Sequence, residues 1–186
     1  MHTHDIVESH QIKHIRIPRA ASRVVVNIHE DAGADITIAD NPLLNLDVNL
    51  SGERSSAIIR GAFRGAESAT QHIILRVLHD APCTSSRVMF RAVLDGASES
   101  RFDGLIRIAD IAKGSSGYLS YRALLLSDRA RAHPIPRLEI LTKDVISAGH
   151  EVAVGTIDPQ QMFYMQSRGL PPQEIKRLIT EGFLMG

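Results

Sequence analysis

One cysteine, no tryptophan, five phenylalanines and three tyrosines stand in this 186-residue chain, and each scarcity removes a class of protein. A lone Cys83 can form neither an intramolecular disulfide framework nor a CxxC-type zinc or cluster motif, so stability has to come from packing. Net charge is also missing. Lysine plus arginine match aspartate plus glutamate at 21 each, which argues against nucleic acid or an anionic membrane surface as a partner. No apolar run approaches the roughly 18 residues of a membrane span, and the start MHTHDIVESH lacks the apolar stretch of a signal peptide. The expected location is the cytoplasm. The phosphate loop of nucleotide hydrolases, the serine nucleophile elbow, the HExxH zinc motif and the dinucleotide glycine fingerprint are all missing. The chain is expected not to be an enzyme.

What is present is a grammar of short strands. From Ile12 onward apolar residues alternate with polar ones in IKHIRI (Ile12 to Ile17), VVVNIH (Val24 to His29), ADITIAD (Ala34 to Asp40), LNLDVNL (Leu44 to Leu50), SAIIRGAF (Ser56 to Phe63), HIILRVLH (His72 to His79) and RVMFRAVL (Arg87 to Leu94). That period of two is the signature of strands. The stretches between them, such as DAGAD, SGERSS and DGASES, are turn-rich and too short for crossover helices. A sandwich, a barrel or a solenoid remains. Small residues recur on the outer positions, and SGERSSAIIRGAFRGAESATQHI is echoed by SRVMFRAVLDGASESRFDGLI further on. An internal echo of this kind favours stacked coils.

After Gly155 the pattern turns helical. Asp158 is a suitable N-cap, Pro159 fits the first helical position, Gln161 completes a capping box, and Gly169 is a natural stop after Arg168. A second helix follows Pro171 and Pro172, with Ile175, Leu178, Ile179 and Phe183 on one apolar stripe. The stripe could dock a partner or pack on its own core. The expected division is a disordered start over residues 1–11, a β-core over 12–155 and a helical segment over 156–186. His2 and His4 behind a free amino terminus could bind copper or nickel loosely. His133 before Pro134 reads as a turn residue, Cys83 after Pro82 as a small apolar residue at a strand end, and Arg122, Asp128, Arg129 and Arg131 as a solvated charged patch. Asp103 and Asp110 could be the carboxylates of a β-helical polysaccharide-cleaving enzyme, but the dearth of aromatics leaves no stacking platform for sugars.

Four blocks carry a resemblance to a known family: ALLLSDRA (Ala123 to Ala130), PRLEI (Pro136 to Ile140), GHEVAVG (Gly149 to Gly155) and FYMQSRGL (Phe163 to Leu170), followed by Gly182 and Phe183. In this order and spacing the chain resembles the SufB/SufD proteins, scaffold subunits of iron–sulfur cluster assembly, and FRAVLDGASESRFDGLIRIAD (Phe90 to Asp110) is similar to their core. The resemblance implies a mainly β protein with a right-handed parallel β-helix and a short C-terminal helical segment. It implies an ABC-type ATPase as partner at the helical region, here through Ile175, Leu178, Ile179 and Phe183. It also implies pairing through the C-terminal part of the β-core, which for a single chain means a homodimer built on strands near Leu124, Leu138 and Ile140. His150 matches a histidine implicated in cluster assembly, which one subunit type follows with a glutamate as Glu151 does here; the pair could ligate Fe(II) or a transient iron–sulfur cluster that is not tightly bound, or relay protons. Two departures accompany the match. The chain is one residue longer between Glu139 and His150, as at a β-bulge, and Tyr121 stands where the cluster-building subunit type carries cysteine. The alternative readings are a β-helical interaction module without cluster chemistry and, less favoured, the carbohydrate-active enzyme.

Overall fold

The computed structural model describes residues 2–185, with side chains from Ile6 onward. Among these described residues twelve strands precede two helices: β1 (His2–Val7), β2 (Ile12–Ile17), β3 (Arg23–Ile28), β4 (Gly33–Ile38), β5 (Leu43–Leu50), β6 (Ser56–Gly65), β7 (Thr70–His79), β8 (Ser85–Leu94), β9 (Glu99–Ile108), β10 (Ser115–Leu125), β11 (Arg131–Ile140), β12 (Val145–Thr156), α1 (Pro159–Ser167) and α2 (Pro172–Met185). Odd strands form one six-stranded sheet in the order β1-β3-β5-β7-β9-β11, and even strands form the other in the order β2-β4-β6-β8-β10-β12. Each strand therefore pairs in parallel with the strand two places on, and the chain winds as a β-solenoid ending in two helices, the expected fold class. The internal echo has a direct cause. Ser56 is in register with Ser85, 29 residues later, and Thr70 with Glu99, so one coil lies on the next.

Alternation becomes a core because parallel register stacks like positions into columns. Ile15, Ile36, Ile59, Val88 and Leu119 form one column, all buried. Ile28, Leu50, His79 and Ile108 form another on the facing sheet. A third runs Ile17, Ile38, Gly61, Phe90 and Tyr121. There Gly61 leaves the space that the Phe90 ring enters: a Cβ on Gly61 would lie 2.2 Å from Phe90 Cδ2.

At one corner of the coils the backbone repeats a left-handed residue: His10, Asp31, Arg54, Cys83 and Gly114 all have φ between 54° and 67°. Their amides form a ladder, each donating to the carbonyl just before the next corner residue: His10 to Glu30, Asp31 to Glu53, Arg54 to Pro82, Cys83 to Lys113. Cys83 is thus an exposed turn residue, not the apolar strand end expected from sequence. An L-residue in this conformation costs about 1–2 kcal/mol that glycine avoids, against about 0.5–1 kcal/mol of extra chain entropy. Cys83→Gly is therefore expected to leave stability unchanged or raise it by up to about 1 kcal/mol. A urea midpoint lowered by the substitution would contradict this account of the corner.

The beginning departs from the expected disordered start. The backbone of His2–Val7 pairs along the whole of β3, and Val7 is buried. HTHDIV carries little alternation of its own, and the pairing comes from the open edge that β3 offers. The copper or nickel reading of His2 and His4 lies outside the described side chains. At the other end, Asp158 caps α1 by accepting from the Gln160 amide at 2.8 Å, while no reciprocal bond from Gln161 is among those formed. Gly169, at φ 88°, ends the helix region as expected.

Candidate functional site

Among the described residues no coil is stacked on β11 and β12, so the inner columns end there in the open. The aliphatic column through Leu119 terminates in His150, and the column through Tyr121 terminates in Val152. Val154 continues the row beside Ala123. Val152 is 42% and Val154 44% exposed although both occupy inward positions. Across from them β11 carries Leu138 and Ile140 on the same inner row as Ile106 and Ile108, with Ile140 41% exposed. Pro134 and Pro136 sit within β11, which is tolerated because this is an edge strand whose outward side has no neighbour to receive amides. Leu124, by contrast, lies in the interior strand β10 and is buried.

Neighbouring residues of a strand face opposite ways, and this separates His150 from Glu151. His150 follows the inner row of Leu119; Glu151 is in register with Ser120 on the outer row. The structure does not bring them together. Glu151 is already engaged: it accepts from the Tyr118 hydroxyl at 2.9 Å and from Arg122 Nη2 at 2.7 Å and Nε at 3.1 Å. These bonds, Tyr118 first and then Arg122, hold its carboxyl below the usual range. Within the stretch from Glu139 to His150 the register slips, with Ser115 opposite Val145 and Ser116 opposite Ser147, leaving Ile146 bulged out and 77% exposed. Beyond that bulge the alternation of β12 is reset. Among the described residues no three His, Cys, Asp or Glu side chains converge to hold a metal ion.

The family model described as "SUF system FeS cluster assembly, SufBD core domain" matches residues 9–183. The chain belongs to the SufBD core family. It is 29% identical over 148 residues to the iron–sulfur cluster assembly protein SufD of Bacillus subtilis, covering 80% of this chain and 32% of that protein. It is 33% identical over 164 residues to an iron–sulfur cluster assembly SufBD family protein of Mycobacterium bovis, covering 77% and 41%, and 32% identical over 176 residues to one of Mycobacterium leprae, covering 84% and 45%. The chain thus spans less than half the length of these curated relatives.

Within this SufBD core, the position of Tyr121 is a packing site. Its ring is fully buried between Phe90, with centroids 5.8 Å apart and planes at 4°, and Phe102 at 5.2 Å. Burial pushes its hydroxyl up to about 12, and the O–H donates to Ser100 Oγ at 3.0 Å. His133 is a residue of the edge strand β11, 3.4 Å from Glu99, and not a turn residue. Asp103 is paired with Arg137. Among the described residues Asp128 has no side-chain ion pair, while Arg131 donates to the Asp128 carbonyl.

The stripe on α2 is split. Ile175 is fully buried and Ile179 and Phe183 half-buried, where α2 lies against β8, and only Leu178 is exposed. Ile175 is therefore spent on the chain's own core. The exposed apolar surface is instead on α1, whose Phe163 is 73% and Tyr164 59% exposed and which buries none of its residues. Sequence reasoning treated these two only as a family block. The signal that could have found them is a short helix in which adjacent aromatics cannot both face inward.

Proposed function

We propose that the chain is a scaffold of iron–sulfur cluster assembly that works in the cytoplasm with an ABC-type ATPase, pairs with a second copy through its open coil, and has no catalytic activity of its own. The observation that carries this reading is the uncovered end of the solenoid. There His150, Val152, Val154 and Ile140 continue buried columns into solvent, beside two unpaired strand edges. Uncapped edges of this kind recruit another chain, and two-fold pairing is the simplest closure for identical chains. The residues of one chain do not fit a cluster as ligands. His150 and Glu151 face opposite ways, Glu151 is held by Arg122, and the Tyr121 hydroxyl is inside the core. Iron or a cluster is then transient cargo, to which one chain contributes His150 at a shared seam. The engagement of Glu151 favours, as the second reading, an interaction module without cluster chemistry. For the ATPase the surface is α1, through Phe163 and Tyr164, continued by Leu178 of α2.

Co-expression with the ATPase, anaerobic purification and sedimentation test the reading together. The wild type is expected at twice the mass of one chain, Val152→Asp at the mass of one, and Phe163→Asp as a dimer that no longer retains the ATPase. His150→Ala is expected to remain dimeric and to retain less iron. A wild-type monomer at micromolar concentration would overturn the pairing, and iron content indifferent to His150 would favour the second reading.

A further inference from the structure

On the outer face of the even-numbered sheet a groove of about 410 Å³ crosses β8, β10 and β12. Its walls hold three guanidiniums, Arg87, Arg91 and Arg122, and one carboxylate, Glu151. Parallel register sets Arg87 beside Tyr118 and Arg91 directly beside Arg122, and like charges in adjacent strands repel. Several arginines elsewhere on the solenoid surface stand next to carboxylates: Arg60 with Asp35, Arg76 with Asp47, Arg101 with Glu99 and Arg137 with Asp103. Arg122 follows that pattern through Glu151. Arg87 and Arg91 do not. Among the described residues neither has a carboxylate at ion-pair distance; Arg87 lies over the Tyr118 ring at 5.8 Å, and Arg91 is half-buried with no counter-charge. Between the two basic rows stands Ser120, whose hydroxyl makes no hydrogen bond among the described residues and is free to donate.

Two neighbouring guanidinium forks, a free hydroxyl and an excess of two positive charges are the requirements of a tetrahedral dianion, because arginine binds phosphoryl oxygens in bidentate fashion. We propose that this groove binds a small phosphoryl-bearing anion, clasped by Arg91 and Arg122 over Ser120, with Arg87 and Tyr118 along its length. The phosphoryl group could belong to a free polyphosphate or to a nucleotide, whose base would meet the Tyr118 ring. Glu151 competes with the ligand for Arg122, so the site has an internal antagonist. The inference does not rest on the scaffold reading, and loss of dimer or of iron would leave it untouched.

Titration calorimetry of the full chain with inorganic pyrophosphate and with adenosine diphosphate at low salt tests it. Wild type is expected to bind pyrophosphate, and Arg91→Gln and Arg87→Gln each to weaken binding about tenfold or more, the value of a hydrogen-bonded charge. Arg76→Gln, on the other sheet, should change it less than about twofold, as expected of a distant screened charge. Glu151→Gln should tighten binding several-fold by releasing Arg122, a gain that general loss of fold cannot produce. Equal or tighter binding of pyrophosphate assigns the site to the phosphoryl group alone; tighter binding of adenosine diphosphate that falls with Tyr118→Leu assigns it to a nucleotide. No binding by the wild type, equal losses in Arg91→Gln and Arg76→Gln, or no tightening in Glu151→Gln would overturn the proposal.

Discussion

Phe90→Ala is expected to lower stability by about 3–5 kcal/mol, the range for deleting a fully buried aromatic. Phe90 sits in the middle of the only aromatic cluster among the described residues, 5.1 Å from Phe102 and 5.8 Å from Tyr121 between ring centroids, and its ring fills the gap beside Gly61. Parallel coils cannot collapse into the resulting cavity, because their spacing is fixed by backbone hydrogen bonds at about 4.8 Å. The converse change makes the same point from the other side. Gly61→Ala places a methyl within 2.2 Å of the ring, and overpacking of this kind costs about 1–3 kcal/mol. In the Phe90→Ala background the methyl has room, so Gly61→Ala should there be neutral or stabilising. Urea unfolding of the two single variants and the double variant gives the coupling directly; additive losses would show that the ring and the glycine do not share one space.

Acid is expected to remove about 3 kcal/mol of stability through a single side chain, His79, as follows from its pKa difference. His79 is fully buried in an aliphatic column, with Nδ1 2.7 Å from Thr84 Oγ1 and Nε2 2.8 Å from Ser86 Oγ. Burial lowers its pKa from 6.5 to about 4, so the folded protein keeps it neutral while the unfolded chain takes up a proton below 6.5. The stabilisation is therefore complete above pH 6.5 and is lost progressively as pH falls toward 4. Exposed carboxylates held low by arginines, such as Asp31 and Glu99, add smaller losses at lower pH, so the comparison that matters is with His79→Gln. That variant should be less stable at neutral pH and should lose markedly less between pH 7 and pH 4.5. Parallel pH dependence of the two proteins in urea titrations would remove His79 from the acid response.

The solenoid was readable because its two signals are local. Alternation in LNLDVNL or HIILRVLH marks the inner row without knowledge of any neighbour, and the echo of residues 51–73 in residues 86–106 reports the stacking of coils. What could not be read depends on register. Val88, Leu119 and His150 reveal themselves as one column only when β8, β10 and β12 are laid side by side; then a histidine at the end of an aliphatic column stands out. Arg91 and Arg122 are likewise neighbours only in the fold. The β1 strand escaped because its pairing comes from β3, and the α2 stripe stayed open between a partner and the chain's own surface because a helical period shows that one face is apolar without showing what covers it. Tyr121 was noted for the cysteine it replaces, whereas its partners come from two other strands, Phe90 from β8 and Ser100 and Phe102 from β9.

The ladder of left-handed corners makes the molecule a ruler with discrete marks. Each corner amide is spoken for by the carbonyl that precedes the next corner, so residues added between two marks cannot be absorbed by sliding; they loop out, as Ile146 does from β12, or lengthen the strands of that coil, as β6 and β7 outrun β4 and β5. A change of one whole interval is different in kind. Excising the stretch from Arg54 to Pro82 would join Glu53 to Cys83, hand the Asp31 amide the same carbonyl, and lay β8 on β4 and β9 on β5 with inner rows still inward. Length in this architecture is therefore quantised: the chain can be lengthened or shortened by coils, and the distance between its two ends is a count of corners.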